Sequence, residues 1–290
     1  MSDWAVGLST GCFYQTSILN CLPAICHGGF TQLEICSFPT HLDYHDAEAV
    51  ERAAKVMREY GLEPYSFHAP YGAEIVITSL DEERRHRSQL EVLRAAEAAA
   101  RLEAWYLVIH PGPESAWQPP SPERLQRLNN AVSVLDRVSQ RCQELGVGLV
   151  LENMLPHLLF GNASDMLWMM GALTRADVGI CLDTGHAHLA QDSAEIVPRF
   201  AGHLRLVHAN DNNGRYDDHL PPGEGAIDWH RVLTQLEDQR FAGGLILEIA
   251  ADSKKTAAEL LASARAARRR LRDLARRIGR GERSPTTPAA

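Results

Sequence analysis

Nine side chains of the kind that bind divalent metals stand at or just beyond the ends of short apolar runs: His68, His110, Glu152, Asp183, His186, His208, Asp217, His219 and Glu248. Taken singly, each has a plain structural reading. A histidine at a strand end is ordinarily hydrogen-bonded framework, and Asp183 or Asp217 alone could cap a helix or a turn. Taken together they resist it. His, Asp and Glu make up 50 of the 290 residues, so six of eight strand ends carry one by chance with odds of roughly one in a thousand. Carboxylates gathered in one place also repel one another unless cations sit among them. The set points to metal binding. Its mixture of imidazole and carboxylate suits Zn²⁺, Mn²⁺, Co²⁺ or Fe²⁺ better than Mg²⁺ or Ca²⁺, which favour all-oxygen shells. Nine candidates exceed what one ion uses. Either two or three ions bind, or one binds and the remaining histidines hold substrate.

The apolar runs that carry these residues lie at 4–10, 31–36, 64–68, 105–110, 147–152, 178–183, 204–208 and 244–249. Amphipathic segments separate them, among them 47–60, 81–102, 122–145, 163–173 and 229–239, and a basic helix runs to about residue 277. Such alternation is the pattern of βα units and a parallel sheet. Val, Ile and Leu dominate the runs, as strands buried on both faces require. Gly61 and Gly146 follow two of the helices as C-caps. Eight units predict an α/β chain closed into a single (β/α)₈ TIM barrel, with the metal site at the C-terminal ends of the strands, where the βα loops converge. An open doubly wound sheet is the alternative, but no GxGxxG loop follows the first strand. The barrel is expected over 1–278 and a disordered tail over 279–290.

Length agrees, since such barrels typically take ~250 residues. With 45% hydrophobic and 23% charged residues, the composition is that of an ordinary globular chain. No apolar run reaches the ~20 residues of a membrane span, and the opening Met-Ser-Asp-Trp lacks an export signal, so a cytoplasmic protein is expected. Six scattered cysteines without a CxxC pair read as reduced structural thiols. Charge is uneven: residues 265–290 hold nine Arg against Asp273 and Glu282, so of the net −8 the remainder carries −15. A body that acidic disfavours general nucleic-acid affinity. The basic end could touch nucleic acid or an acidic partner, but it reads first as a solvated helix face.

The motifs Ser66-Phe67-His68-Ala69-Pro70-Tyr71, Val108-Ile109-His110-Pro111-Gly112, Leu151-Glu152-Asn153, Cys181-Leu182-Asp183-Thr184-Gly185-His186, Val207-His208-Ala209-Asn210-Asp211, Asp217-Asp218-His219-Leu220 and Leu247-Glu248-Ile249 carry a family resemblance. The chain resembles, over about 5–250, the xylose-isomerase-like TIM-barrel superfamily, which joins sugar isomerases and epimerases with endonuclease IV-type enzymes (AP endonuclease family 2). In the sugar branch the resemblance implies one divalent ion on Glu152, Asp183, His208 and Glu248, with the two glutamates shuttling a proton beside a metal-polarised carbonyl or hydroxyl. In the repair branch it implies a trinuclear zinc cluster on all nine positions, activating water against a phosphodiester. That branch carries Cys, Lys and Arg where this chain has Gly185, Asn213 and Asp218.

The loops decide between the branches. Segments 11–16, 37–46, 69–80, 111–122, 153–164, 184–194 and 209–227 contain one cation, Arg215, whereas phosphate contacts dominate nucleic-acid affinity. They offer instead aromatic and amide groups, including Phe13, Tyr14, His41, Tyr44, Tyr71, Trp117, Asn153, His157, Asn162 and Asn210, which suit a small polyol. The expectation is a metal-dependent isomerase or epimerase of a small sugar, keto-sugar or cyclitol, with Glu152 and Glu248 as proton carriers. His186, Arg215, Tyr71 and Asn153 are candidates for substrate binding. Glu34 either accepts a substrate hydroxyl or is a solvated carboxylate.

Overall fold

The computed structural model describes residues 4–114, 121–175, 177–190 and 193–282. Its strands are β1 (Val6–Ser9), β2 (Gln32–Cys36), β3 (Glu63–His68), β4 (Tyr106–Ile109), β5 (Gly148–Glu152), β6 (Gly179–Asp183), β7 (Leu204–Ala209) and β8 (Gly244–Leu247). Each pairs in parallel with the next, and β8 returns to β1 to close the barrel. The expected (β/α)₈ architecture is the observed one. The first run, 4–10, shortens to Val6–Ser9 because Thr10–Phe13 form a 3₁₀ turn, capped by the Ser9 hydroxyl accepting from Gly11 N–H.

The helices are α1 (Ile18–His27), α2 (Ala47–Glu59), α3 (Glu82–Arg101), α4 (Ser121–Leu145), α5 (Ala163–Ala172), α6 (Thr184–Leu189), α7 (Ile196–Arg199), α8 (Trp229–Asp238) and α9 (Ala257–Gly279). Side chains of Asp46, Asp81, Asn162 and Asp228 cap α2, α3, α5 and α8 by accepting first-turn N–H groups. Thr256 and Glu259 form a reciprocal capping box at α9. Three helices escape the sequence pattern. Pro23 lies inside α1, where a proline ordinarily argues against a helix, and α6 and α7 are too short to display a period. After α9 ends at Gly279, Glu282 O accepts from His230 Nε2–H. The rest of the expected tail, 283–290, lies outside the described residues, as does Trp117. No helix among the described residues is long and apolar enough to cross a membrane.

Two apolar layers follow from the pleat, because alternate strand residues face opposite sides. Leu107, Ile109, Leu149, Leu151, Ile180, Leu182, Val207, Leu245 and Leu247 face the helices. Val108, Val150, Cys181, Leu206 and Ile246 fill the barrel interior, above Tyr65. Two positions beyond each interior residue, on the same face, stand His110, Glu152, Asp183, His208 and Glu248. The apolar interior is thus the floor on which a polar ring rests.

Candidate metal centre

Glu152 is the hub of that ring. Its Oε2 lies 3.2 Å from His208 Nδ1, 3.3 Å from His68 Nε2 and 3.4 Å from His110 Nε2. Its Oε1 lies 3.7 Å from His186 Nδ1. His208 Nδ1 is also 3.2 Å from Glu248 Oε2. On the loop after β7, Asp217 Oδ2 approaches His219 Nε2 at 3.1 Å and His186 Nε2 at 3.3 Å. All nine expected residues therefore converge. Three groups within the ring bring their ligand atoms within 4.8 Å of one another: His68, Glu152 and His208; Glu152, Asp183, His208 and Glu248; and His186, Asp217 and His219.

Each of the five ring histidines is tied back by one nitrogen to an oxygen outside the centre. Nδ1–H of His68, His186 and His219 donates to the carbonyls of Ala69 (2.9 Å), Asn153 (2.8 Å) and Glu248 (3.0 Å). Nδ1 of His110 bonds Glu114 Oε1 at 2.6 Å, and Nε2 of His208 bonds Glu34 Oε2 at 2.9 Å. These oxygens only accept, so the bonded nitrogen carries a proton, and in the neutral imidazole the other, inward nitrogen would keep its lone pair for an ion. This is how metal-ligating histidines are held. Inside the ring, the buried atoms His208 Nδ1, Asp217 Oδ1 and Glu248 Oε2 have no hydrogen-bond partner. Buried polar atoms are nearly always satisfied; an ion among Glu152, Asp183, His208 and Glu248 would engage the first and third of these residues, and one among His186, Asp217 and His219 would engage the second. The donor set fits such an ion.

Electrostatics agree. Burial alone would raise the Glu152 carboxyl, but His208 and His110 outweigh it and hold it well below the ordinary range. Glu248 is likewise pushed up by burial yet brought down to about 2 by His208 and His219. Asp183, dominated by burial, rises to about 6. Burial would lower His110 and His186, but carboxylates reverse this: Glu152 and Glu114 take His110 to about 10, and Asp183 and Asp217 take His186 to about 9. In this arrangement histidine protons neutralise the carboxylates, which is the work a cation would take over.

The residues expected to bind substrate separate into two kinds. Tyr71 lies at the mouth, 46% exposed, its ring 4.8 Å from that of His110 and 5.1 Å from that of His68. Asn153 instead clamps Asp183, its amide donating to Asp183 O and accepting from Asp183 N–H. Glu34 is neither solvated nor at the mouth. It is fully buried behind His208 and also accepts from Ser9 and Ser66, so its oxygens serve the protein rather than a ligand. Arg215 is exposed on the loop and is not among the residues lining the central cavity. That cavity, about 120 Å³, has the ring as its floor, Met154, Leu155 and Leu158 along one wall, and no Lys or Arg among its lining residues. Sequence reasoning missed Glu114, four residues after His110, and read Asn210 as a substrate-facing amide, whereas that amide donates to Asp183 Oδ2 at 2.5 Å. An acid closely following a candidate histidine was the available signal for Glu114.

The xylose isomerase-like TIM barrel family matches residues 27–274. The chain belongs to this family. An uncharacterized protein of Methanocaldococcus jannaschii is 29% identical over 254 residues, covering 85% of this chain and 84% of the relative. The D-psicose 3-epimerase of Agrobacterium fabrum is 26% identical over 120 residues, covering 40% of each. Among solved structures, a D-tagatose 3-epimerase-like protein superposes with a TM-score of 0.83 at 24% identity, covering 96% of this chain and 99% of that one. The IOLI protein with a binding zinc atom gives a TM-score of 0.79 at 20% identity, covering 93% and 98%.

Proposed function

We propose that this chain is a divalent-metal-dependent isomerase or epimerase of a small sugar, keto-sugar or cyclitol, with Glu152 and Glu248 as proton carriers. The observation that carries the reading is the inward-facing ring: five histidines tied back at one nitrogen, with their other nitrogens set among Glu152, Glu248 and Asp217. Glu152, Asp183, His208 and Glu248 would hold an ion, and His68, His110, His186, Asp217 and His219 would hold further ions or substrate oxygens. A bound divalent ion would supply Lewis-acid polarisation of a substrate carbonyl or hydroxyl. The two glutamates then do the proton work. One carboxylate removes the proton on the carbon beside the carbonyl, and the other returns a proton to the opposite face, inverting that carbon; solvent exchange resets the pair. Tyr71 and His186 orient substrate oxygens, while Asn153 and Glu34 act from behind by fixing Asp183 and His208. Arg215 can touch only those parts of a ligand that project from the cavity. The likeness to a D-psicose 3-epimerase and a D-tagatose 3-epimerase-like protein supports a free ketose as substrate.

A second reading, a trinuclear-zinc phosphodiester hydrolase of the abasic-site type, draws on the separate group of His186, Asp217 and His219. Against it stands a cavity lining without Lys or Arg, where a polyanion would need several. One comparison tests both. Solvent-deuterium incorporation into free ketoses and cyclitols is measured beside incision of a duplex carrying one abasic site, with Mn²⁺, Co²⁺ or Zn²⁺ supplied. Exchange that disappears on chelation supports the isomerase. Incision without exchange overturns it.

A further inference from the structure

Asp211 stands two residues after β7 and is fully buried, yet none of its bonds reaches the nine candidate ligands. Its carboxylate accepts four N–H groups: Oδ1 from Asn212 N (2.9 Å) and Ile227 N (3.0 Å), Oδ2 from Gly223 N (2.7 Å) and Trp229 Nε1 (2.8 Å). Its backbone meets Leu220 in an antiparallel bridge, each N–H donating to the other's carbonyl at 2.8 Å. One residue therefore joins the two ends of the loop 212–219 and anchors the turn that follows it. Asp217 and His219 ride on that loop. Space is reserved for the anchor, since a Cβ on Gly225 would sit 2.3 Å from Asp211 Oδ1. His219 itself has φ +44°, a left-handed conformation disfavoured for a residue with a side chain, so the surrounding bonds must impose it. Ala250 N–H donates to its carbonyl at 2.9 Å.

We propose that Asp211 is a positioning residue that fixes the 212–227 loop so that Asp217 and His219 meet His186. The proposal rests on the reading of those three as metal or substrate ligands. Asp211→Asn keeps the size of the side chain but turns an amide NH₂ towards donors that Oδ2 now accepts, so it opens the anchor without emptying it. The test is a double-variant cycle on Co²⁺ affinity, using chelated wild type, Asp211→Asn, His219→Ala and the double variant. If His219 is a ligand, each single variant weakens Co²⁺ binding by about tenfold or more, and the double variant is no weaker than His219→Ala alone. Multiplying losses overturn the proposal, as does a loss in Asp211→Asn when His219→Ala has none. A wild type that takes up no Co²⁺ sinks the metal reading instead, and hydrogen exchange then judges the anchor. Asp211→Asn should accelerate amide exchange across 212–220 by about tenfold or more while β5 and β6 keep their protection. Unchanged exchange in the loop overturns the anchor. Should Asp211→Asn fail to fold, Trp229→Phe removes one of the four donors and should give a smaller acceleration in the same segment; its failure to do so counts equally against the proposal.

Discussion

Strand-borne and loop-borne candidate ligands meet in one centre but are held there by different means. Glu152, Asp183 and His208 have 1%, 0% and 0% of their side chains exposed, whereas Asp217 and His219 retain 26% and 23%. The first three are aimed by the pleat, with a paired strand on either side and an apolar residue two positions below. Asp217 and His219 belong to a segment with no strand of its own, and side-chain bonds to Asp211 take the place of a ladder. Strands place ligands collectively, so no single hydrogen bond decides where Glu152 points. A loop places them through a few polar contacts, which is why an acidic residue that touches no ligand can matter as much as one that does.

That contrast can be broken or sharpened by substitution. The largest effect is expected at the hub. Glu152→Gln should lower turnover by about 10²–10⁴-fold with the far-UV spectrum intact, and Glu248→Gln should act in the same direction. A near-wild-type rate in either would remove it from the proton-carrier role. Next is the floor. Leu206→Ala, beneath His208, should cost about 2–5 kcal/mol of stability in urea unfolding; a cost near zero would mean the strand-borne ligands do not depend on the packed interior. Behind the ring, Glu34→Gln takes the charged acceptor from His208 Nε2–H and should weaken metal affinity about 10–100-fold, read by competition with a chelating dye. An unchanged affinity would show that strand geometry alone orients that ring. Smallest is Thr256→Ala at the α9 capping box, expected to cost about 1 kcal/mol and to leave turnover unaltered. Lost turnover there would show that the outer helices reach the centre, and the simple division between strand and loop would fail.

Much of this could be seen in the residues before any fold. A β-rich run ending in Glu152 or Asp183, repeated with helices between, predicts a barrel with acids at its rim, because a period of two and a helical period are properties of the local backbone. The six candidate ligands at strand ends were legible for that reason, whereas His186, Asp217 and His219 lie beyond the strands and were read from residue type and motif alone. The role of Glu34 was not legible, since its tie to His208 spans 174 residues of sequence and exists only once the closed barrel brings β2 and β7 together. Asn153 adjoins Glu152 in sequence yet points towards Asp183 on the next strand.

Sequence by itself thus determined the eightfold alternation, the chemical type of the rim and the scarcity of cations in its loops, all of which follow from residue identity and short-range periodicity. Tertiary structure alone decided which nitrogen of each histidine faces inward, that Arg215 stays outside the cavity lining, and that Asp211 anchors the loop rather than joining the ligands. Those outcomes depend on which oxygen or N–H group lies within about 3 Å of a given atom, and closure of the barrel, not local chain geometry, brings such partners together.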